Sequence, residues 1–474
     1  MSGRDRDALA IVLHTHMPYV EGFGTWPFGE EWLWEAIACC YVPLLELLDE
    51  GAAVTLSLTP VLCDQLEADG VAGRFSAFVR DVRRSSHAED AEGLRAGGHE
   101  LLAAELDRAA GDYVRALEKV EELGGDLLGA LAPHARWTSS ATHAVLPLLA
   151  SEACLRLQLR SGIESHRRRF GDWDGGFWLP ECAYEPSLAH GLADAGVRAV
   201  CVELTGREPL GAAAHLAPLL DESGVTLVPI DRATMSLVWS DDGYPAAGAY
   251  RDYHHHTVHH HTPWANSGEA YDHAAALALA REHAADFVSR TRERLARAAV
   301  RGGGLAVCAL DTELLGHWWY EGGEWLRAVV RECAEQGLPL VRLDDALAQI
   351  EPLPASQRAR ALAWPATSWG RGCDLSTWSG PAVADMAFTA RAAELAVLAA
   401  GQEVSEAAVR ELMALQASDW PFMVSREISV PYARERFAGH SHALQEALRA
   451  GPHADASGVR NLAVDAHTAA LLAA

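Results

Sequence analysis

Short apolar runs recur along the first three quarters of the chain, separated by stretches with helical apolar spacing. This alternation is typical of βα units that build a parallel sheet. Because the runs are almost wholly apolar, the strands should be covered on both faces, and seven or eight such units fit a barrel. We predict strands at 8–13, 54–58, 136–141, 176–180, 198–203, 225–230, 304–310 and 338–343.

Two regions interrupt the alternation. Residues 64–135 are rich in Arg, Glu and Ala and have the spacing of amphipathic helices, which predicts a helical insertion between two barrel strands. From about residue 356 the strand signals vanish and helical periodicity takes over. The predicted fold is therefore α/β. A barrel of residues 1–63 and 136–355 carries a helical insertion at 64–135 and an all-α C-terminal domain at 356–474.

The composition excludes several classes of function. The 474 residues carry 39 Lys and Arg against 65 Asp and Glu, a formal net charge of −26. Such a chain lacks the cationic surface that neutralises nucleic-acid phosphates or binds anionic membranes. We find no apolar stretch of the about 18 residues that cross a bilayer, and the apolar run at 8–13 is too short for a signal peptide. Nine scattered cysteines are typical of reduced thiols. A cytoplasmic protein is expected.

Two carboxylates follow predicted strands directly. Glu181 lies in FWLPECAY and Asp311 begins DTELLGHWWYEG. Active sites of barrel enzymes assemble where the strands end, and retaining glycoside cleavage needs two carboxyl groups, one a nucleophile and one an acid/base. Taken singly, Glu181 could instead lie at a helix N-terminus, where its negative charge interacts favourably with the helix dipole, and Asp311 could cap a helix.

Histidines mark two of the same strand ends. His14 and His16 of HTHMPY point to one side if the strand geometry continues, so they could be half of a metal site or could hydrogen-bond a polar substrate. His143 could bind substrate hydroxyls or serve only the structure. The six histidines between His254 and His261 lack carboxylates or cysteines in a fixed pattern, which favours an exposed loop with adventitious metal affinity.

Tryptophan is unusually frequent. The chain has 15 Trp but only ten Tyr and ten Phe. A rigid apolar ring suits stacking against sugars as well as core packing. Trp364, Trp369, Trp378 and Trp420 could all pack the helical domain on the barrel. The Gly-containing setting of Trp369 and Trp378 favours a substrate-facing loop.

Four motifs, in order along nearly the whole chain, resemble the α-glucan branching enzymes of glycoside hydrolase family 57. They are HTHMPYV, FWLPECAY, DTELLGHWWYEG and QASDWPF. The resemblance implies a distorted, TIM-like (β/α)7 barrel, a small helical insertion and a helical C-terminal domain. It also implies that Glu181 is the nucleophile and Asp311 the general acid/base, with no metal and no other cofactor.

The resemblance implies the remaining site residues as well. His14, His16 and His143 are implied contacts to the sugar at the cleavage point. Trp369 and Trp378 are implied as the aromatic residues that the C-terminal domain contributes to the groove. Tyr244 stands where the family has a mobile loop with a tyrosine, and Tyr250 is the alternative. Further predicted substrate contacts are Trp26, Trp178, Trp264, Trp318 and Asp419.

The implied activity is that of a retaining 1,4-α-glucan branching enzyme. Its expected partner is an α-1,4-glucan such as amylose or glycogen, and the expected state is a monomer or small homo-oligomer. A family 57 α-amylase or 4-α-glucanotransferase would share both carboxylates. More remote alternatives are a metal-dependent deacetylase or amidohydrolase that uses His14 and His16, and a non-catalytic glucan-binding protein.

Overall fold

The computed structural model describes residues 7–24, 28–298, 300, 302–354 and 366–472. Within these ranges nine β-strands form one sheet. The strands are β1 (Ala8–Thr15), β2 (Thr55–Leu58), β3 (Ala135–Ser139), β4 (Gly176–Trp178), β5 (Ala199–Val202), β6 (Leu219–Leu220), β7 (Thr226–Pro229), β8 (Leu305–Asp311) and β9 (Leu353–Pro354).

Seven of these strands form a continuous parallel run in the order β8-β1-β2-β3-β4-β5-β7. β6 is antiparallel to β7, and β9 pairs with β6. The backbone N–H of Asp231, just past β7, donates to the carbonyl of Val307 in β8 at 2.8 Å. The two ends of the parallel run therefore meet, and the sheet curls into a distorted TIM-like barrel, as predicted.

Seven of the eight predicted strands are present, and the prediction for 338–343 is wrong. That segment makes a single bridge, Leu340 with Leu9, and a helix follows it at Leu343. β2 pairs with β1 only from Val12 onward, so the edge of β1 at Leu9 is free for one such bridge. The two-residue strands β6 and β9 are too short to produce a periodic signal.

Helices cover the sheet and make up most of the remaining chain. The α-helices are Glu30–Ala36, Val42–Asp49, Pro60–Leu66, Val71–Ala77, Arg84–Ala96, Glu100–Glu122, Leu127–Leu131, Glu152–Phe170, Leu188–Asp194, Arg232–Met235, His273–Ala298, Gly322–Gln336, Leu343–Leu347, Ser376–Ser379, Ala384–Ala400, Glu406–Leu415, Asp419–Ser425, Val430–Ala450 and Ala469–Leu472. π-Helical turns occur at Ile37–Tyr41 and Phe78–Arg83. None of the described helices is long and apolar enough to span a membrane.

The two regions predicted to be helical are helical. Between β2 and β3 the chain forms only helices and turns, and the described residues after 366 form helices with isolated bridges at Thr367 and Ala417. The proposed boundary at 355/356 lies outside the described residues. The division into a barrel, an insertion and a C-terminal domain stays a prediction.

The C-terminal helices share a hydrophobic core with the barrel. β1 is buried along its whole length in the main core. A second core joins Tyr19, Val61 and Ala141, which follow barrel strands, to Leu412 and Trp420 from the C-terminal helices. This packing holds the C-terminal helices against the end of the barrel at which the parallel strands finish.

Candidate active site

The carboxyl ends of four parallel strands bring the predicted polar residues together. His14 lies in β1, and in the register of the sheet it pairs with Asp311, the last residue of β8. His143 follows β3 by four residues, and Glu181 follows β4 by three. Residues that are far apart in the sequence thus lie together at one edge of the sheet, as expected for a barrel enzyme.

Three histidine rings stack in this site. The rings of His16 and His143 are 3.9 Å apart between centroids, and those of His14 and His143 are 4.9 Å apart. His14 also stacks on Trp178 at 4.6 Å. Burial and then the neighbouring imidazoles lower the pKa values of His14 and His143 well below the ordinary histidine value. Both rings are therefore neutral near neutral pH.

A series of hydrogen bonds runs from His14 through His143 and Ser418 to Glu181, and the donor of each bond can be assigned. Ser418 Oγ donates to Glu181 Oε1 at 2.9 Å, so it accepts from Nδ1 of His143 at 2.7 Å. The neutral ring of His143 then has an unprotonated Nε2, to which His14 Nε2 donates at 2.9 Å. Nδ1 of His14 remains a buried acceptor with no hydrogen-bond partner among the described residues.

Glu181 occupies a strained turn. It lies in the short turn Pro180–Cys182 with φ 63°, and Cys182 follows with φ 49°. Residues other than glycine adopt this left-handed region at an energetic cost, and such positions cluster at active sites. The turn directs the carboxylate to where strands β1, β4 and β8 end.

Trp369 fixes the other oxygen of Glu181. Its indole N–H donates to Glu181 Oε2 at 2.9 Å, and its backbone N–H donates to the Glu181 carbonyl at 3.0 Å. Arg232 donates to the Trp369 carbonyl at 2.9 Å. Burial raises the pKa of Glu181, while the donors Trp369 and Ser418 oppose the rise by stabilising its ionised form.

Asp311 has the opposite environment. Among the described residues, none makes a hydrogen bond to its carboxyl side chain. Burial first, and then the charges of Glu313, Glu181 and Asp419, raise the pKa of Asp311 well above the ordinary value for Asp. One carboxyl therefore has donors that favour its ionised form, while the other has none among the described residues and is shifted towards protonation. An unequal pair of this kind is suited to retaining glycoside cleavage.

His16 differs from the other two histidines because its surroundings favour the protonated ring. Its Nε2 lies 2.9 Å from Oδ1 of Asp419, and its Nδ1 lies 3.2 Å from the hydroxyl of Thr59. Burial opposes the charge of His16, but Asp419, Glu313 and Glu181 outweigh this effect and raise its pKa. The motif QASDWPF thus contributes both Ser418 and Asp419 to the site.

The predicted aromatic contacts occupy different environments. Trp178 lies beneath His14, and its ring meets that of Trp369 edge-on at 5.1 Å. Trp378 is 1% exposed and packs against Val145 and Ala183. The ring of Trp264 is covered by His255 at 3.8 Å. Trp318 is 41% exposed, and Trp26 lies outside the described residues. Substrate contact by these residues stays a prediction.

Neither predicted loop tyrosine has a free hydroxyl. The hydroxyl of Tyr244 donates to Asp286 at 2.7 Å, and Tyr250 is buried with its hydroxyl 2.8 Å from Nδ1 of His283. Both partners belong to the helix His273–Ala298. The role of Tyr244 over the site stays a prediction that requires it to leave Asp286.

The histidine run packs on the predicted insertion. His259 lies 2.7 Å from Asp90, and His261 is buried with its ring 3.7 Å from that of His87. His254, His255 and His256 are exposed. Within the part of the chain that the structure describes, no cluster of three or more His, Cys, Asp or Glu could hold a metal ion.

The structure adds site residues that the sequence reading did not assign. Ser418 precedes Asp419 in QASDWPF, and Glu313 lies two residues after Asp311 in DTELLGHWWYEG, so these motifs are their only signal in the sequence. Trp239, whose ring lies 5.9 Å from that of Trp369, and Tyr41, whose hydroxyl donates to Glu313 at 2.7 Å, lie outside the motifs. No local pattern could have identified them.

Comparisons with known proteins agree with this geometry. The model of glycosyl hydrolase family 57 matches residues 137–354, and the model of the C-terminal region of 1,4-α-glucan branching enzymes matches 382–461. A probable 1,4-α-glucan branching enzyme of Mycobacterium tuberculosis is 34% identical over 93% of this chain and 92% of its own length. The chain belongs to glycosyl hydrolase family 57. The family predicted from the four motifs is thereby confirmed.

Solved structures of this family have the same fold. A family 57 branching enzyme of Pyrococcus horikoshii superposes with a TM-score of 0.88 at 27% identity, and the match covers 99% of this chain and 97% of that one. A branching enzyme of Thermococcus kodakaraensis, solved in complex with glucose, superposes with a TM-score of 0.85 at 27% identity and the same coverage.

Proposed function

We propose that this family 57 protein is a retaining 1,4-α-glucan branching enzyme. The observation that carries the proposal is that, among the described residues, both donors to the Glu181 carboxylate come from beyond the barrel, namely Trp369 and Ser418. Ser418 lies within the segment that matches the branching-enzyme C-terminal model. The part of the chain typical of branching enzymes is therefore built into the reacting site.

Glu181 attacks the anomeric carbon of an α-1,4-linked glucan while Asp311 gives its proton to the leaving oxygen. The bond between the two glucose units breaks, a covalent glucosyl–Glu181 ester forms, and the released chain departs. Asp311, now ionised, takes the proton from the 6-hydroxyl of an acceptor glucan as that oxygen displaces Glu181. Two inversions leave the configuration at the anomeric carbon unchanged and create an α-1,6 branch.

The substrate contacts belong to the same proposal. The ring nitrogens of His16 and His143 are hydrogen-bonded to protein groups, so these two rings hold His14 and the carboxylates in place around the sugar. Nδ1 of His14 is an acceptor free to bind a sugar hydroxyl. The proposed aromatic contacts among the described residues are Trp178, Trp264, Trp318, Trp369, Trp378 and Tyr244. Trp26, which lies outside the described residues, is proposed as well.

The wider organisation is also proposed. Residues 1–63 and 136–355 form the catalytic barrel, 64–135 the insertion and 356–474 the C-terminal domain. We expect a cytoplasmic monomer or small homo-oligomer, whose net charge of −26 disfavours nucleic acid and anionic membranes but not a neutral glucan.

Proton NMR of amylose incubated with the protein tests the reaction. New α-1,6 anomeric signals are the expected result. Altered chain lengths without new linkages would indicate a 4-α-glucanotransferase, and rising reducing ends alone an α-amylase.

Glu181→Gln and Asp311→Asn should each abolish branching. If either variant branches amylose like the wild type, the assignment of its carboxyl is wrong. Glycogen binding with no turnover in the wild type would indicate a non-catalytic binding protein.

A further inference from the structure

A further carboxyl group, besides those of Glu181, Asp311 and Asp419, lies two residues beyond Asp311. Glu313 is buried in the turn Thr312–Leu314, which follows β8 directly. Its Oε1 accepts two hydrogen bonds, one from the Tyr41 hydroxyl at 2.7 Å and one from the backbone N–H of His16 at 3.2 Å. Neither the hydrogen-bond chain through Ser418 nor the attack of Glu181 uses this group.

The donors around the site are unequally distributed. Glu181 accepts hydrogen bonds from Trp369 and Ser418. Glu313 accepts from the Tyr41 hydroxyl and the backbone N–H of His16, and Asp419 is hydrogen-bonded to Nε2 of His16. Among the described residues, none makes a hydrogen bond to the Asp311 side chain. Hydrogen bonds to a carboxylate stabilise its ionised form. When only some of these carboxyl groups are protonated, Asp311 is therefore the one that keeps its proton.

We propose that Glu313 is a positioning residue that keeps the proton on Asp311, because its ionised carboxylate makes a second negative charge at Asp311 unfavourable. The proposal rests on the proposed function, in which Asp311 is the acid/base. The hydroxyl of Tyr41, from the π-helical turn Ile37–Tyr41, favours the ionised form of Glu313 by donating to it.

Titratable groups from every neighbouring element bear on this pair. Besides Tyr41 they are His14 and His16 from β1, Cys40 from the π-helical turn, Glu181 after β4, and Asp419 from the helix Asp419–Ser425. The cation of His16 favours ionised Glu313, while Glu181 and Asp419 add to the negative field at Asp311. Burial raises the pKa of Glu313 to about 7, against the lowering effects of Tyr41 and His16. Glu313 therefore ionises near neutral pH, in the range where the acid must still be protonated.

The pH dependence of kcat/KM for branching of amylose tests the proposal. Loss of the Asp311 proton sets the alkaline limb of this profile. Glu313→Gln removes the charge but keeps an acceptor for Tyr41, so Asp311 should lose its proton more readily. We expect the alkaline limb to move to lower pH by about one unit or more. Tyr41→Phe should move it in the same direction by less, since Glu313 then ionises less readily.

Glu321→Gln is the matched control. Glu321 is also buried and lies eight residues along the same segment, but its Oε1 accepts from the backbone N–H of Arg251 and not from the site. The alkaline limb of this variant should match that of the wild type. An unshifted limb in Glu313→Gln, or an equal loss of activity at every pH, would show that Glu313 only supports the structure. If Glu313→Gln does not fold, Tyr41→Phe decides by the same criterion.

An activated donor separates this proposal from the proposed function. Maltosyl fluoride releases fluoride without protonation, so formation of the covalent intermediate from it does not need the acid. With this donor the alkaline limb should be the same in the wild type and Glu313→Gln. A shift that persists with the fluoride would overturn the proposal, because the charge would then act on a group other than the acid. Branching that survives Asp311→Asn would instead overturn the assignment of Asp311 as the acid/base, and the absence of branching in the wild type would overturn the proposed function.

Discussion

The indole N–H of Trp369 donates a hydrogen bond to Oε2 of Glu181 at 2.9 Å, across 188 residues of sequence. The backbone of Trp369 donates to the carbonyl of the same residue. A tryptophan from beyond the barrel therefore both orients Glu181 and stabilises its charge. This contact makes the segment around Trp369 part of the candidate active site.

Trp369→Phe should raise the pKa of Glu181, because it removes one donor to the ionised form. In the proposed mechanism Glu181 must be ionised to attack, so the acid limb of kcat/KM should move to higher pH. Hydrogen bonds to charged groups contribute about 1.5–3 kcal/mol, so kcat/KM should fall by roughly ten- to a hundredfold. Trp239→Phe removes an indole near Trp369 that does not contact Glu181 and should leave the acid limb in place. If the acid limb is unchanged in both variants, Trp369 does not stabilise the ionised carboxylate of Glu181.

Asp419→Asn should destabilise the protein by about 3 kcal/mol, since it leaves a nearly buried imidazolium without its partner. A histidine with a raised pKa contributes stability that is complete below the pKa of the unfolded chain, about 6.5, and is lost as pH rises through the folded value. The difference from the wild type in free energy of unfolding should therefore be largest in acid and shrink above neutrality. Urea unfolding at several pH values measures it.

The pair His442–Glu446 provides the control, with both side chains more than half exposed and 3.2 Å apart. Glu446→Gln should cost less than about 1 kcal/mol at every pH. Equal effects of the two variants would contradict the assignment of a charge to His16.

Trp318 and Trp319 are adjacent but should behave differently. Trp318 is 41% exposed, and Trp319 is 1% exposed. Trp318→Ala should raise KM for amylose and change the free energy of unfolding by less than about 1 kcal/mol. Trp319→Ala should destabilise the fold by about 3–5 kcal/mol. Kinetics and thermal unfolding of both variants test this contrast, and unchanged kinetics in Trp318→Ala would remove Trp318 from the substrate contacts.

Gly316 is required by the loop that carries Glu313. It has φ 124°, and an added Cβ would lie 1.9 Å from the Cys39 carbonyl oxygen. Gly316→Ala should destabilise the protein by more than about 2 kcal/mol. A Cβ at Gly323, in the first turn of the helix Gly322–Gln336, meets nothing within 4 Å, so Gly323→Ala should be neutral or stabilising by up to about 1 kcal/mol. If Gly316→Ala and Gly323→Ala unfold at similar temperatures, the loop around Gly316 can rearrange to accommodate the added Cβ.

EDTA should leave branching unchanged, since Glu181 and Asp311 perform the proposed chemistry and His14, His16 and His143 bond to protein groups. Untagged protein is needed, because the exposed histidines of the run His254–His261 can bind metal adventitiously. Activity lost in EDTA and restored by zinc would favour the metal-dependent hydrolase.

Most of the barrel was predictable because its strands are short, apolar and buried, so their composition alone marks them. The prediction failed at 338–343, where an equally apolar run makes one bridge. Whether such a run becomes a strand depends on a free edge beside it, and β1 offers its free edge only near Leu9. Composition carries no information on that availability.

The site was predictable to the extent that it lies on strand ends and in local motifs. Glu181, Asp311, His14, His16 and His143 do meet, because parallel strands finish at one edge of a sheet. Trp369 and Trp378, in contrast, share one Gly-containing stretch of sequence. Only packing distinguishes them, since Trp369 bonds to Glu181 whereas Trp378 is enclosed by Val145 and Ala183.

The sequence by itself determined the family, the curled parallel sheet and the strand ends on which the two carboxyl groups stand. Those properties depend on local composition and periodicity. The tertiary structure alone decided which carboxyl groups receive donors that favour their ionised forms and which receives none. That choice depends on donors from distant segments, namely Trp369 and Ser418 at Glu181 and Tyr41 at Glu313, and on the lack of any such donor at Asp311 among the described residues. A pKa is set by the groups that surround a side chain in space, and no local pattern of residues records them.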